Sequence, residues 1–369
     1  MLKKFFSLVL IAIFTAGCVK KSEQEEIVFS SWGSITEVKI LNQAIKDFEA
    51  ENPKIKVNFM HIPQNYFQKI HLLFASNTPP DVLFMNNLYL PIYESKLEEL
   101  DQCIDAEKFY PQAISGMSYY GKILGVPRDV SNLVLYVNLD KMSLPKEEWN
   151  IEEFLFKAQN ITSENVFGIG AEDKIYWATP YLAYFGGGVL DESYNIMIES
   201  IESKKGLDFY NDLVYRYKVA PTKSQIGSST LAQMFLDEKI VMYLSGRWMY
   251  PKIKEKAKFN WAVINFPYGK NSQLCDVSGW VISKDSKHKE SALKFVEFLS
   301  NEKTSEYFTK TGLVIPARIE TSSLLNNSEH NERIFLEVIK HSKNTPVNKD
   351  YKKVTDKIDS KVLSNEVQK

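Results

Sequence analysis

Cysteine and histidine are scarce in this chain: 3 Cys and 5 His among 369 residues. So little cysteine excludes a disulfide-dense scaffold. His61, His71, His288, His330 and His341 show no close ligand spacing, which argues against a histidine metal site. Charge of one sign is lacking too. Lys and Arg total 45 against 46 Asp and Glu, for a net charge of -1, and nothing points to nucleic acid. No GxxxxGK[ST] loop marks a nucleotide-driven motor, and no GxSxG marks a nucleophile elbow. The one concentrated apolar run, Phe5 to Phe14, falls short of the ~20 residues that span a membrane.

That run has a different meaning. Lys3 and Lys4 precede it, small residues follow it, and Cys18 ends it. Basic, then apolar, then small is the order of a secretory signal peptide. Ala16-Gly17-Cys18 resembles a bacterial lipobox, in which the cysteine thiol receives diacylglycerol and becomes the mature N-terminus. Thr15 departs from the leucine usual at that position. The expectation is therefore a lipoprotein signal at 1–18, lipidation at Cys18, a solvated tether at 19–26, and a membrane held by lipid alone.

Roughly 350 residues remain, too many for one comfortable core, which implies two domains. Cys103 and Cys275 could pair or stay free; sequence leaves both open. The chain is rich in aromatics, with 19 Tyr, 22 Phe and 6 Trp. Most must be core, and the question is which few face a ligand.

Apolar periodicity predicts an alternation of strands and helices. IVFSSWG (27–33) reads as a buried strand ending in a glycine turn. Val38, Leu41, Ile45 and Phe48 form one helix face, closed by Pro53. IKVNFM (55–60) alternates as a strand, a helix covers about 65–76, and DVLFM (81–85) is another short strand. LVLYVNL (133–139), IVMYL (240–244), WAVINF (261–266) and GWVIS (279–283) read as strands. Helices are expected at 150–160, around Leu207–Tyr217, from about 248, around Ala292–Leu299, and at 331–342 and 350–363. This pattern is an α/β layer architecture.

The order of motifs carries a resemblance. FEAENPKIKVNF (48–59), KIHLLFASNTPPDVLFMNN (69–87), GKILGVPRDVSNLVLYVNLDKM (121–142), GGGVLDE (186–192), MFLDEKIVMYLSGRWM (234–249) and the stretch from GWVIS to IPAR (279–318) follow one another. In that order they resemble the family 1 extracellular solute-binding proteins of ABC importers, the carbohydrate-binding group that includes maltose-binding protein. The resemblance implies a two-lobed periplasmic-binding-protein type II fold, with the ligand cleft between lobes and several hinge crossovers. It implies an N-lobe of 27–129 plus 267–315 and a C-lobe of 133–262 plus 319–369.

Sugars need flat aromatic faces and planar polar groups, which Trp and Tyr on one side and Asn, Asp and Arg on the other supply. Trp32 follows the first strand, and Asn86 and Asn87 follow DVLFM, where ligands bind in open α/β sheets. Asn65 and Tyr66 precede a helix. The resemblance places Arg128 and Asp129 at a lobe crossover facing the cleft, Trp177 and Tyr184 ahead of the glycine run, Trp248 at a stacking position and Trp280 at a cleft-facing Gly-Trp. Arg318 completes the expected ligand-binding set. Tyr184 and Phe185 stand where the family commonly has an amide, so stacking is expected there rather than hydroxyl pairing. Trp149 and Trp261 read as structural.

The function expected is capture of a sugar or oligosaccharide by lobe closure and delivery to ABC permease subunits in the membrane. The protein would be extracytoplasmic, monomeric and free of cofactor and metal. Two rivals stand beside it. A glycerol-3-phosphate or glycerophosphodiester binder would use Arg128, Arg247 and Arg318 as a cationic cluster, and a cleft enzyme acting on carbohydrate would need two facing carboxylates.

Overall fold

The computed structural model describes residues 24–145, 149–267, 273–326 and 330–363. Cys18 and the expected leader lie outside the described residues. The strands in chain order are β1 Glu25–Ser31, β2 Ile55–His61, β3 Val82–Asn86, β4 Ser118–Tyr119, β5 Lys122–Ile123, β6 Val126–Asn132, β7 Val134–Asn138, β8 Phe167–Ile169, β9 Ile240–Ser245, β10 Trp261–Ile264, β11 Leu274–Ile282, β12 Ile315–Pro316 and β13 Lys343–Asn344.

Two sheets organise the chain. The larger runs β12-β6-β11-β3-β1-β2, with β13 attached to β11; the smaller runs β10-β7-β9-β8. In the larger sheet β1 pairs in parallel with β2 and β3, while β11 is antiparallel to β3 and β6. The parallel strands β1, β2 and β3 therefore end on one side, at Trp32, Ile62 and Asn87. The β6–β11 ladder shifts register between Ser278 and Gly279. A Cβ on Gly279 would stand 2.2 Å from the Val126 carbonyl oxygen, so only glycine lets the strands approach there.

Local chemistry fixes the covering helices. Helix Ile35–Glu51 starts with a reciprocal capping box between Ser34 and Glu37 and buries Leu41, Ala44, Ile45 and Phe48. Helix Ile151–Ile161 starts with the same device, Asn150 with Glu153. On the smaller sheet's side, helix Ile201–Tyr215 crosses helix Ile175–Tyr184 at Gly206, where a Cβ would stand 2.5 Å from the Leu182 Cα. One core surrounds the larger sheet and continues to Tyr136, Tyr250 and Phe335; a second fills the other lobe around Phe154, Tyr181 and Leu182.

The chain changes sheet between β6 and β7, through the single residue Leu133, and again between β10 and β11. Helix His330–Lys340 lies between the lobes. The Asn132 side chain donates to the Phe335 carbonyl (3.2 Å), and the Val263 N–H donates to Asn331 Oδ1 (3.0 Å). Pairing then puts β13 on the larger sheet, within a stretch the sequence reading gave to the second lobe. The final helix, Tyr351–Asp359, returns to pack on helix Ile175–Tyr184.

Candidate functional site

A cavity of about 210 Å³ opens where the two sheets face each other. From the first lobe come Trp32, Glu37, Phe84, Arg128, Asp129, Ser131 and Ser278; Arg247 and Trp248 come from the second. Larger cavities lie beside Glu172 and Asp359 (about 680 Å³), beside Tyr119 and Tyr194 (about 450 Å³), and beside Gly187 and Leu274 (about 250 Å³). None of the three is lined by a tryptophan.

Trp32 is held by three edge-to-face contacts, with Tyr66, Phe67 and Phe84 at 4.8, 5.3 and 4.3 Å between ring centroids. Across the cavity Trp248 is 37% exposed, the most accessible ring of the site. It lies over Gly246, where an added Cβ would stand 2.0 Å from Trp248 Cζ3. The Gly246 carbonyl is fixed in turn by the buried Tyr136 hydroxyl, which donates to it at 2.9 Å. Trp177 meets Trp248 edge to face at 6.4 Å.

Arg128 forms the floor. Its guanidinium pairs with Asp129 and, at 3.5 Å, with Glu37, and lies 4.1 Å from the Phe84 ring centroid. Burial pushes the Asp129 carboxyl above its ordinary value, and the neighbouring Arg128 opposes that shift. Arg247 is 1% exposed. It donates through Nε to the Val314 carbonyl (2.9 Å) and through Nη2 to Glu332 (3.1 Å).

Beside Asn87 sits a buried acid, Asp276. Asn87 Nδ2 approaches its Oδ1 at 3.5 Å, and Tyr176 and Thr345 also hydrogen-bond to it. Burial pushes this carboxyl up to about 6, against the pull of those three donors.

Of the expected ligand residues, the structure gathers Trp32, Arg128, Asp129 and Trp248 on one cavity, with Trp177 adjoining. It does not bring the others there. Asn65 is exposed, in a left-handed conformation (φ 52°) ahead of helix Tyr66–Ala75. Tyr66 is core, its hydroxyl bonded to Ser30. Asn86 donates to Ser278 Oγ (3.1 Å) and accepts the Leu88 N–H (2.9 Å), a turn-forming role. Asn87 accepts the Val277 N–H at 3.0 Å and is 1% exposed. The Tyr184 hydroxyl accepts the Ile151 N–H at 3.3 Å, at the far end of its helix. Arg318 donates to Glu320 (3.0 Å) and to the Ser300 carbonyl (3.2 Å).

Trp280 needs correction. It is 0% exposed, packed on Phe29 and Phe84 one layer beneath Arg128. A central strand alternates its faces, and position 280 points into the core. Trp149 donates to the Asn265 carbonyl (3.1 Å), and Trp261 packs on Tyr136 and Tyr250, both structural as read. Cys103 and Cys275 are free thiols, not a pair.

Sequence reading missed Glu37, Ser131, Ser278 and, as cavity wall, Arg247. In the β6–β11 ladder Ser278 pairs with Asp129, and Ser131 lies two residues further along β6 on the same face, opposite Asp276. Arg247 carried the signal of adjoining Trp248.

Residues 32–306 match the family described as bacterial extracellular solute-binding protein, well over half of the chain. The chain belongs to that family. Among its relatives, a galactooligosaccharide-binding protein of Bacillus subtilis is 27% identical over 83% of this chain and 78% of its own length. A maltooligosaccharide ABC transporter solute-binding lipoprotein of Streptococcus pneumoniae is 24% identical over 61% of this chain and 56% of its own. An ABC substrate-binding protein of Listeria monocytogenes, solved in complex with cycloalternan, has a TM-score of 0.84 at 25% identity, covering 92% of this chain and 93% of that one. The fold is thus the two-lobed type II architecture of periplasmic binding proteins. The family and these neighbours are binding proteins, and the family is extracellular. No helix among the described residues is long and apolar enough to cross a membrane.

Proposed function

We propose that this solute-binding protein captures a neutral sugar or oligosaccharide between its lobes and delivers it to an ABC permease, without chemistry. It acts as a monomer held at the extracytoplasmic face by lipid on Cys18. The observation that carries the reading is that Trp32 of the first lobe and Trp248 of the second line one cavity with hydrogen-bonding side chains around them. A ligand touching both lobes stabilises the closed form, because only that form makes both sets of contacts. A micromolar Kd corresponds to about 8 kcal/mol, within reach of stacked aromatics and several hydrogen bonds. The sugars named for its relatives support the same ligand class.

Charge supports a neutral ligand. Each arginine that a phosphate would need already faces a carboxylate: Arg128 faces Asp129 and Glu37, Arg247 faces Glu332, and Arg318 faces Glu320. The same pairing bears on the enzyme rival. Glu37 and Asp129 share one guanidinium instead of facing each other across a scissile bond.

The test is a thermal-shift screen of the full chain with galactooligosaccharides, maltodextrins, cycloalternan, glycerol-3-phosphate and glycerophosphodiesters. A ligand at 100 times its Kd adds about 2.7 kcal/mol. A shift with a neutral saccharide, recovered intact, is expected. A shift confined to phosphorylated ligands would overturn the reading, and so would turnover of the saccharide.

A further inference from the structure

Arg247 is built into the cleft wall in an unusual way. Its guanidinium packs beside the rings of Tyr250 and Phe335, with centroids at 5.3 and 5.2 Å. Two of its nitrogens are committed, Nε to the Val314 carbonyl and Nη2 to Glu332. The third, Nη1, is buried and has no hydrogen-bond partner. A buried donor left unmade, above all one on a cation, is costly and rare in a folded protein. Arg247 lines the cavity together with Trp248, Ser131 and Arg128, whose own Nη1 already faces Glu37 at 3.5 Å. The unmade Arg247 donor is a place for an acceptor oxygen.

The charge state decides which oxygens. Both guanidiniums are offset, Arg247 by Glu332 and Arg128 by Asp129 and Glu37. An incoming anion would find carboxylates close to both cations. An uncharged hydroxyl oxygen meets no such repulsion and still receives a charge-assisted hydrogen bond.

We infer that Arg247 is a specificity-determining residue of this cleft, its Nη1 donating to a hydroxyl oxygen of an uncharged saccharide stacked on Trp248. The two fixed bonds, to the Val314 carbonyl and to Glu332, hold the fork in place. Lysine at this position could keep the pairing with Glu332 but has no second arm to present. The inference rests on the carbohydrate reading above.

The experiment is calorimetric titration of the full chain with galactotriose, maltotriose and cycloalternan, for wild type, Arg247→Lys, Arg247→Gln and Phe154→Leu. Phe154 lies in the second lobe's core, away from the cavity, so Phe154→Leu reports destabilisation alone. Hydrogen bonds to charged groups predict that Arg247→Lys loses about tenfold to a hundredfold in affinity for the saccharide that wild type binds. Arg247→Gln is expected to lose as much, and it carries the test should the lysine variant not fold. Phe154→Leu, with its lowered Tm, is expected to stay within about threefold. If Arg247→Lys binds as tightly as wild type, or if all variants lose affinity in step with Tm, the inference is overturned while the carbohydrate reading stands. If wild type binds none of the three, the carbohydrate reading fails and takes this inference with it.

Discussion

Asp276 offers a prediction whose sign is set by two opposing forces. The residue is 6% exposed at the junction of both lobes. Asn87 reaches it from the first lobe, Tyr176 from the second, and Thr345 from the segment after β13. Three donors aimed at a carboxylate favour its ionised form, whereas burial favours the neutral form. Burial wins, raising the group from 3.8 to about 6. The native state therefore holds this proton more tightly than the unfolded chain. The stability it contributes is complete below about pH 4 and is lost as pH rises through about 6. Two pKa units at 1.36 kcal/mol each make the loss on the order of 3 kcal/mol. The assay is urea unfolding of wild type and Asp276→Asn at half-unit steps from pH 4 to pH 8. The variant removes the titration and keeps an acceptor for Tyr176 and Thr345. Its stability relative to wild type should climb across that window and level off above pH 7. A difference that stays flat would show that Asp276 does not titrate there.

Gly246→Ala should displace the Trp248 ring, because its Cβ would stand 2.0 Å from Cζ3. Saccharide affinity should fall about tenfold in a calorimetric titration, while far-UV circular dichroism stays unchanged. For the thiols, alkylation of the native chain followed by peptide mass spectrometry should label Cys103, which is exposed, and spare Cys275, which is buried with its thiol pushed up by desolvation. Labelling of Cys275 in native buffer would contradict its place in the β11 core.

Much of the fold was legible because its signals are local. The capped helix after Ser34, the alternation of IKVNFM and the apolar DVLFM run each came out within a few residues of the expected positions. Strand β6, Val126–Asn132, was not predicted; Arg128 and Asp129 were placed only at a lobe crossover. It forms because β11 and β12 pair with it on both sides, and tertiary pairing overrides weak local propensity. Likewise β13 pairs with Leu274 and Cys275, far away in sequence. At the cavity, Trp32 was expected from its place after the first strand and Trp248 from the family resemblance, and both line it. Trp280 was expected in the cleft from the family resemblance, whereas it lies in the core and Gly279 beside it serves the close approach of Val126. Arg247 was legible only as charge, because its burial depends on Val314, Glu332 and Phe335, all distant in the chain.

The central claim, that a neutral saccharide stacks in the cleft between the lobes, is tested most directly by titrating the stabilising saccharide into wild type and Trp248→Ala. A tryptophan buries 150–250 Å² when fully covered, and this one is still 37% exposed. Covering that remainder would remove roughly 55–90 Å² from water, worth about 2 kcal/mol at 25 cal/mol per Å². The account predicts a Kd weaker by about ten- to thirty-fold in the variant, with ligand-free Tm little changed. An unchanged Kd would contradict it and place the saccharide elsewhere on the molecule.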